Sequence, residues 1–238
     1  MPCQLSLPGI AMPAPVTDRL FFALLPDPAV ARQIRHVARE LRRGFRLRSR
    51  LIETHRLHMS LHHLGDHAGI PMPWIYAARH AASRIEFPAF DIHLDRLLTF
   101  SGRAGKLRRL PCVLTTTPDA IIHRFHRALG SALRDCGLAI PSWSFTPHLT
   151  MFYDETVLDE RAIEPIRFAV HEFVIVHSRI GTGQPYELLG RWPLVHPPKG
   201  TGVCERLTDP LLDAEVPACS PATPQPAGAS TKPGQLRM

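Results

Sequence analysis

Two copies of one short pattern, ninety residues apart, constrain the fold of this chain more than any other feature. Residues 58–61 read His-Met-Ser-Leu and residues 148–151 read His-Leu-Thr-Met, so each copy has the order histidine, apolar, hydroxyl, apolar. A proline, Pro28 or Pro118, precedes each histidine by thirty residues. In each half of the chain, hydrophobic periodicity predicts the order strand, helix, strand, and the motif lies in the second of these strands. Two diverged copies of one unit predict a protein with two pseudo-symmetric lobes.

Hydrophobic periodicity predicts strands and helices that do not alternate strictly. Asp27 and Pro28 are typical of a helix start, and Gly44 stands where a left-handed cap would end that helix. Two more helices are predicted at residues 74–85 and 119–136, the second stopped by Gly137. Strands are predicted at residues 19–25, 57–64, 90–98, 107–116, 147–153, 168–180 and 186–195. This mixture indicates an α+β protein.

The two ends of the chain differ in composition from its middle. Residues 1–16 are rich in proline and alanine, and residues 193–238 hold nine of the 24 prolines. Such compositions favour disorder over a packed core. We therefore expect a flexible N-terminal extension at residues 1–16, one bilobal domain at residues 17–197 and a Pro-rich disordered tail at residues 198–238.

Charge and composition narrow the class of protein. Lys and Arg total 28 against 21 Asp and Glu, a net charge of +7 that favours a polyanionic partner such as nucleic acid. No run of eighteen apolar residues and no signal-like start occurs, so we expect no membrane association and a cytoplasmic location. The five cysteines are scattered, and no two have C-x-x-C spacing. This pattern indicates reduced thiols and not a disulfide framework or a zinc site. We expect a monomer.

The doubled pattern suggests a specific chemistry. Side chains at i and i+2 of a strand share a face, so His58 lies beside Ser60 and His148 beside Thr150. If the lobes face each other, two imidazoles and two hydroxyls converge on one cleft. Hydroxyls can hold phosphate oxygens, and imidazoles with ordinary pKa values near 6.5 can exchange the roles of base and acid. The pattern predicts a phosphoester site that needs no metal.

Two other functions fit parts of the sequence. A noncatalytic RNA-binding module would use the same cleft and basic charge, with the histidines only bonding phosphate. A metal-dependent hydrolase could instead be built on the His58 to His67 cluster, with His58, His62 and Asp66 as ligands. The same strand alternation places His62 on the face of His58 and turns His63 away.

Four segments together resemble the 2′-5′ RNA ligase family of two-histidine (2H) phosphoesterases. They are residues 19–24 (Arg-Leu-Phe-Phe-Ala-Leu), 57–66, 145–151 and 186–192, and the resemblance covers about residues 18–195. It implies a bilobal α+β fold with mostly antiparallel sheets lining a central cleft and helices outside. The implied activity is RNA 2′,3′-cyclic phosphodiesterase, leaving a 2′-phosphate, with a reversible 2′-5′ ligation at the same site. No cofactor and no metal is expected.

The resemblance also assigns roles to the motif residues. His58 and His148 are the implied catalytic pair, while Ser60 and Thr150 bind the phosphate. One assignment has His148 take a proton from the attacking water and His58 protonate the departing 3′ oxygen, and the roles exchange if the substrate lies in the opposite orientation. The implied partners are RNA with 2′,3′-cyclic phosphate ends or small cyclic nucleotides.

The chain departs from the family after the second motif, where some members carry a basic residue and this chain has Phe152, Tyr153 and an aspartate. On an ideal strand Tyr153 points away from His148, so Phe152 is the residue expected to stack on a base or else to lie in the core. Arg103 and Lys106 lie in a Gly-containing loop that lacks the P-loop spacing. Together with Arg108 and Arg109 they either supply positive charge for RNA or belong to a solvated loop without a ligand.

Overall fold

The computed structural model describes residues 15–100, 109–117, 120–140 and 144–195. Its strands are β1 (Asp18–Leu24), β2 (Met59–His67), β3 (Phe90–Thr99), β4 (Leu110–Thr115), β5 (His148–Asp154), β6 (Arg161–Val170), β7 (Glu172–Arg179) and β8 (Glu187–Pro193). Its helices are α1 (Pro28–Gly44), α2 (Met72–Ser83) and α3 (Ala120–Asp135), with a short 3-10 turn at Thr54–Arg56. The predicted α+β class is confirmed. Most of the predicted extension and tail, residues 1–14 and 196–238, lies outside the described residues.

The eight strands form one antiparallel sheet in the order β6-β3-β4-β5-β2-β1-β7-β8. Its centre, between β5 and β2, is joined only at the pair Met59 and Leu149, one residue after each motif histidine. Four strands lie on each side of this junction, which confirms the two pseudo-symmetric lobes. The sheet therefore brings the two motifs side by side at the lobe boundary.

The lobes are not the two halves of the sequence. The prediction of one strand over residues 168–180 is wrong, because β6 pairs with β3 in one lobe whereas β7 pairs with β1 in the other. The chain leaves the first of these pairings at Val170 and enters the second at Glu172. An uninterrupted apolar pattern cannot show that its two ends pair with different partners.

The helices cover one face of the sheet and leave the other for the cleft. Helix α1 contacts β5 and β6, α3 contacts β2, and α2 contacts α3 and β8. Alternate residues of β1 divide the faces: Leu20 and Phe22 belong to the main core, whereas Phe21 and Ala23 belong to a small cluster on the opposite face. None of the helices in the described ranges is long and apolar enough to cross a membrane.

The ends of α1 follow the sequence prediction at one terminus only. The Asp27 carboxylate accepts hydrogen bonds from the Ala29 and Val30 N–H groups at 2.7 and 2.9 Å, as predicted for an N-cap. The left-handed cap expected at Gly44 is wrong, since Gly44 is the last helical residue and Arg46 has the positive φ of 52°. Helix α3 does end as predicted, with Gly137 at φ 79°.

Candidate active site

A cleft of about 550 Å³ opens on the helix-free face where the two lobes meet. Both motif histidines and both motif hydroxyls line it, which places the four predicted site residues together. The full lining is Arg19, Phe21, Arg50, Leu51, Ile52, Glu53, Arg56, His58, Ser60, His63, His148, Thr150, Tyr153, Ser178, Gly183 and Tyr186. The two copies of the motif thus form a single site.

The two imidazoles are held in the same way. His58 Nδ1 lies 2.9 Å from the Arg56 carbonyl oxygen, and His148 Nδ1 lies 2.7 Å from the Thr146 carbonyl oxygen. A carbonyl oxygen only accepts, so each Nδ1 carries the proton and donates it. Each Nε2 is then the unprotonated nitrogen that remains for a ligand in the cleft.

The surroundings of the two imidazoles differ. The rings of Phe21 and Tyr186 enclose His58, with centroids 5.0 and 5.3 Å from the centroid of its imidazole. The Tyr186 hydroxyl oxygen lies 3.2 Å from His58 Nδ1. Among the described residues, His148 meets one ring edge-on, that of Phe100, with the ring centroids 4.8 Å apart. The pseudo-symmetry therefore extends to the backbone anchors but not to the side chains around the histidines.

Both histidines favour the neutral form in the unliganded protein. Burial lowers the pKa of His58 to about 4, and the charge that His148 would carry acts in the same direction. Burial also lowers the pKa of His148, opposed by its hydrogen bond to the Thr146 carbonyl. Two neutral imidazoles with free Nε2 atoms can accept protons at neutral pH.

The prediction for the face of His62 and His63 is wrong. Phe21 pairs with His63 and Ala23 pairs with Ser60, so between these pairs two residues of β2 oppose one of β1 in a bulge. The extra residue reverses the alternation after Leu61. His62 is therefore buried at 5% exposure, whereas His63 lines the cleft.

A bulge at the equivalent place in β5 corrects the aromatic prediction. Cys112 pairs with Phe152 and Val113 pairs with Thr150, so β5 has one extra residue there. Phe152 is 1% exposed and belongs to the core, whereas Tyr153 is 49% exposed and lines the cleft. The sequence left open whether Phe152 lies in the core or beside the cleft, and the structure places it in the core. Tyr153 is the aromatic residue that lines the cleft.

Positive charge in the cleft comes from residues that the sequence did not single out. Arg19 forms a two-point ion pair with Asp66, at 2.7 and 2.6 Å, and Arg56 stacks on the Tyr186 ring at 4.5 Å. Arg50 is exposed and makes no ion pair within the described ranges. The segments that contain Arg19 and Tyr186 were recognisable as motifs, but nothing in the local sequence shows that Arg19, Arg50 and Arg56 reach the cleft. The predicted Arg103 and Lys106 lie outside the described residues.

The side chains of the metal-site alternative are not brought together. His62 Nε2 lies 2.9 Å from the His126 carbonyl oxygen on the core side of the sheet. His58 lines the cleft on the opposite side, and Asp66 is engaged by Arg19. No group of three metal-ligating side chains occurs among the residues that the structure describes. The predicted ligand set is therefore wrong.

Comparison with known proteins places the chain in a family. The model of the 2′-5′ RNA ligase superfamily matches residues 26–181, well over half of the chain. Comparison with curated proteins gave no match.

Solved structures share the fold. The crystal structure of Escherichia coli LigT in apo form is 24% identical, with a TM-score of 0.57 over 76% of this chain and 100% of that chain. The protein TT0787 of Thermus thermophilus is 22% identical, with a TM-score of 0.56 over 74% and 97% of the two chains. LigT in complex with 3′-AMP is 24% identical, with a TM-score of 0.55 over 76% and 100%. The chain belongs to the 2′-5′ RNA ligase superfamily and is by family a two-histidine phosphoesterase.

Proposed function

We propose that the protein is an RNA 2′,3′-cyclic phosphodiesterase that opens cyclic phosphate ends to 2′-phosphates. The observation that carries this proposal is the matched pair His58 and His148, each anchored through Nδ1 with Nε2 left for the ligand. Hydrolysis of a phosphodiester needs one proton taken from water and one given to the leaving oxygen. Two imidazoles on either side of a phosphate can supply both transfers.

In this proposal the two motif histidines transfer protons and the two motif hydroxyls bind the phosphate. Nε2 of His148 takes a proton from water as its oxygen attacks phosphorus, and Nε2 of His58 gives a proton to O3′ as the P–O3′ bond breaks. Ser60 and Thr150 donate hydrogen bonds to the non-bridging oxygens. The product carries the phosphate on O2′, and the protons balance because one histidine gains what the other loses.

The lowered pKa of His58 fits an acid that is charged only when substrate is present. A phosphate anion in the cleft favours the imidazolium form and raises the pKa of the histidine beside it. The imidazolium formed in this way can give its Nε2 proton to the leaving oxygen. General acid–base catalysis of this kind accelerates a reaction about 10²- to 10⁴-fold.

The same site supports the reverse attack. If the 5′-hydroxyl of a second RNA takes the place of water, the identical steps join the two strands through a 2′-5′ bond. Microscopic reversibility makes the base of one direction the acid of the other. Hydrolysis and ligation are therefore one mechanism with two nucleophiles.

Relatives support a nucleotide ligand. E. coli LigT has been crystallised with 3′-AMP and with phosphate. In this chain Tyr153 offers an exposed ring beside the phosphate-binding hydroxyls, and Arg50 offers a cation for the phosphate. Base stacking on an aromatic ring is tolerant of sequence, as recognition of an RNA end by a general processing enzyme requires.

The direct test is hydrolysis of an oligoribonucleotide ending in a 2′,3′-cyclic phosphate, with excess chelator present. The expected product is a 2′-phosphate, identified by mass spectrometry and phosphorus NMR. Binding of the RNA without turnover would reject the proposal and favour the noncatalytic RNA-binding module. Loss of turnover on adding chelator would favour a metal-dependent hydrolase.

A matched pair of variants tests the hydroxyl at Thr150. Thr150→Val keeps the shape and removes the donor, whereas Thr150→Ser keeps the donor. A hydrogen bond to a charged group is worth about 1.5–3 kcal/mol, so kcat/KM should fall about 10- to 150-fold in the valine variant. The serine variant should stay within a few-fold of the parent, and equal loss in both would contradict a role for the hydroxyl.

A further inference from the structure

Three arginines project from one side of the segment that connects α1 to β2. Arg46, Arg48 and Arg50 are exposed, while the intervening Leu47 and Ser49 are buried at 9% and 3% exposure. From Leu47 onward this alternation is that of an extended chain, whereas Arg46 closes the last turn of α1. The three residues, named here the arginine track, form a row of exposed positive charge that leads from the end of α1 to the cleft.

The track is attached to the strand that carries His148. The Ser49 hydroxyl donates a hydrogen bond to the buried Asp154 carboxylate at the end of β5. The Ile52 N–H donates to the Met151 carbonyl oxygen at 2.8 Å. The arginines are therefore carried by a segment that is fixed to the catalytic strand.

The guanidinium groups of the track have no acidic partner within the ranges that the structure describes. The neighbouring acids are already engaged: Glu40 lies 2.9 Å from Arg43, and Glu53 lies 3.0 Å from Arg35. Residues 28–50 contain eight arginines and a single acid. The track is thus positioned to bind an anion from outside the protein.

The track also runs into the active site. Arg50 lines the cleft together with the motif histidines, whereas Arg48 and Arg46 lie beyond the cleft lining. A phosphate chain whose end occupies the cleft would meet Arg50 first and then the other two.

The backbone at Arg46 is a second, independent observation. Its φ of 52° lies in the left-handed region that favours glycine, at the position where helices commonly end on glycine. Such a conformation costs free energy for a residue with a Cβ, and residues held in it cluster at active sites and ligand-binding segments. At Arg46 the backbone would favour glycine, yet the chain carries a guanidinium group.

We propose that the arginine track binds the backbone phosphates of a single-stranded RNA whose 2′,3′-cyclic end occupies the cleft. The substrate is then an RNA chain and not a free cyclic nucleotide. This inference rests on the proposed function for the chemistry at the RNA end. Contacts to phosphates raise affinity without reading sequence.

Binding of uncleavable RNA tests the track separately from catalysis. Fluorescence anisotropy would compare a dinucleotide with an octanucleotide, both ending in a 2′-deoxy 3′-phosphate that cannot be hydrolysed by the proposed route. The test variant is Arg46→Gly with Arg48→Gln. Glycine relieves the backbone at position 46, so the Tm should not fall and weaker binding cannot be blamed on unfolding. The control, Arg79→Gln with Arg127→Gln, removes the same charge from exposed positions on α2 and α3.

The parent should bind the octanucleotide more tightly than the dinucleotide, and the test variant should bind the octanucleotide about tenfold more weakly. In a plot of log Kd against log salt concentration, the slope for the test variant should be smaller than that for the parent by about 1.4. The variant lacks two arginines, and each phosphate contact to a single strand contributes about 0.7 to the slope. The control should match the parent. No dependence on length, or equal weakening in the control, would overturn the track. Turnover of cyclic ends without any dependence on length would overturn the track and leave the proposed function standing.

Discussion

At the scale of residues, a bulge directly after each motif decides which side chains a ligand meets. His58 and Ser60, like His148 and Thr150, share a face because the alternation is regular up to the bulge. Beyond the bulge the alternation reverses, and this brings Tyr153 to the cleft. The two bulges occupy equivalent places in the two motifs, so they belong to the repeated unit.

Phe152 and Tyr153 should therefore behave oppositely on substitution. Tyr153→Ala should leave the free energy of unfolding within about 0.5 kcal/mol of the parent. It should raise KM for RNA about 5- to 150-fold, because a stacked base is worth about 1–3 kcal/mol. Phe152→Ala should lower the free energy of unfolding by about 3–5 kcal/mol, because it empties a core position. Urea unfolding and steady-state kinetics separate the two effects.

Tyr153→Phe is the control, since it keeps the ring and should keep KM. An unchanged KM in Tyr153→Ala, with a raised KM in a stably folded Phe152→Ala, would contradict this assignment.

Strand periodicity identified the four motif residues because they lie close together on a regular stretch of each strand. It misassigned His62, His63 and Tyr153 because a bulge depends on the partner strand, which a local pattern does not contain. Arg19 and Arg56 reach the cleft only through pairings between distant segments. Such positions cannot be predicted from the residues around them.

At the scale of elements, helix α3 is tied to β2 by two histidines. His62 Nε2 lies 2.9 Å from the His126 carbonyl oxygen, and His126 Nε2 lies 3.1 Å from the Leu61 carbonyl oxygen. The two rings stack at 3.9 Å, and Phe145 stacks on the outer side of His126 at 3.9 Å. These contacts hold the helix against the strand that carries His58.

Gly130 in α3 allows this close approach. A Cβ added there would lie 2.9 Å from Cε1 and 3.1 Å from Nε2 of His62, whose ring is stacked and hydrogen bonded. Gly130→Ala should therefore lower the free energy of unfolding by about 1–3 kcal/mol, although alanine ordinarily stabilises a helix. Gly44→Ala is the matched control: it meets nothing within 4 Å and should stabilise α1 by up to about 1 kcal/mol. Urea denaturation measures both, and stabilisation by Gly130→Ala would contradict the packing described.

The same histidines should make the fold sensitive to acid. Burial lowers the pKa of His126 to about 4 and also lowers the pKa of His62. Between about pH 6.5 and pH 4 the unfolded chain binds more protons than the folded chain, so the free energy of unfolding should decrease as the pH falls through this range. His126→Gln does not titrate and should show a smaller decrease between pH 7 and pH 5. The same decrease in parent and variant would show that this pair does not account for the acid sensitivity.

The helices were predictable because each has a periodic apolar face. Predicted residues 119–136 correspond to α3 at Ala120–Asp135, and predicted residues 74–85 correspond to α2 at Met72–Ser83. The end of α1 was misplaced because the chain closes its last turn on Arg46, a residue type that rarely adopts a positive φ.

At the scale of the whole molecule, the site lies at the junction of two lobes. Met59 and Leu149 pair across the centre of the sheet, which places His58 next to the strand that begins at His148. The repeated motif made this arrangement predictable from the sequence. Which strands complete each lobe was not predictable, because β7 and β8 return to the lobe of β1 from the far end of the domain.

The central claim is that His58 and His148 act together as base and acid. The most direct measurement is single-turnover hydrolysis of an RNA with a 2′,3′-cyclic end, in excess chelator, alongside RNA binding, for the parent, His58→Ala and His148→Ala. Each variant should lose about 10²–10⁴ in the rate of hydrolysis while its Kd for RNA stays within a few-fold of the parent. Turnover that persists in either folded variant would contradict the account.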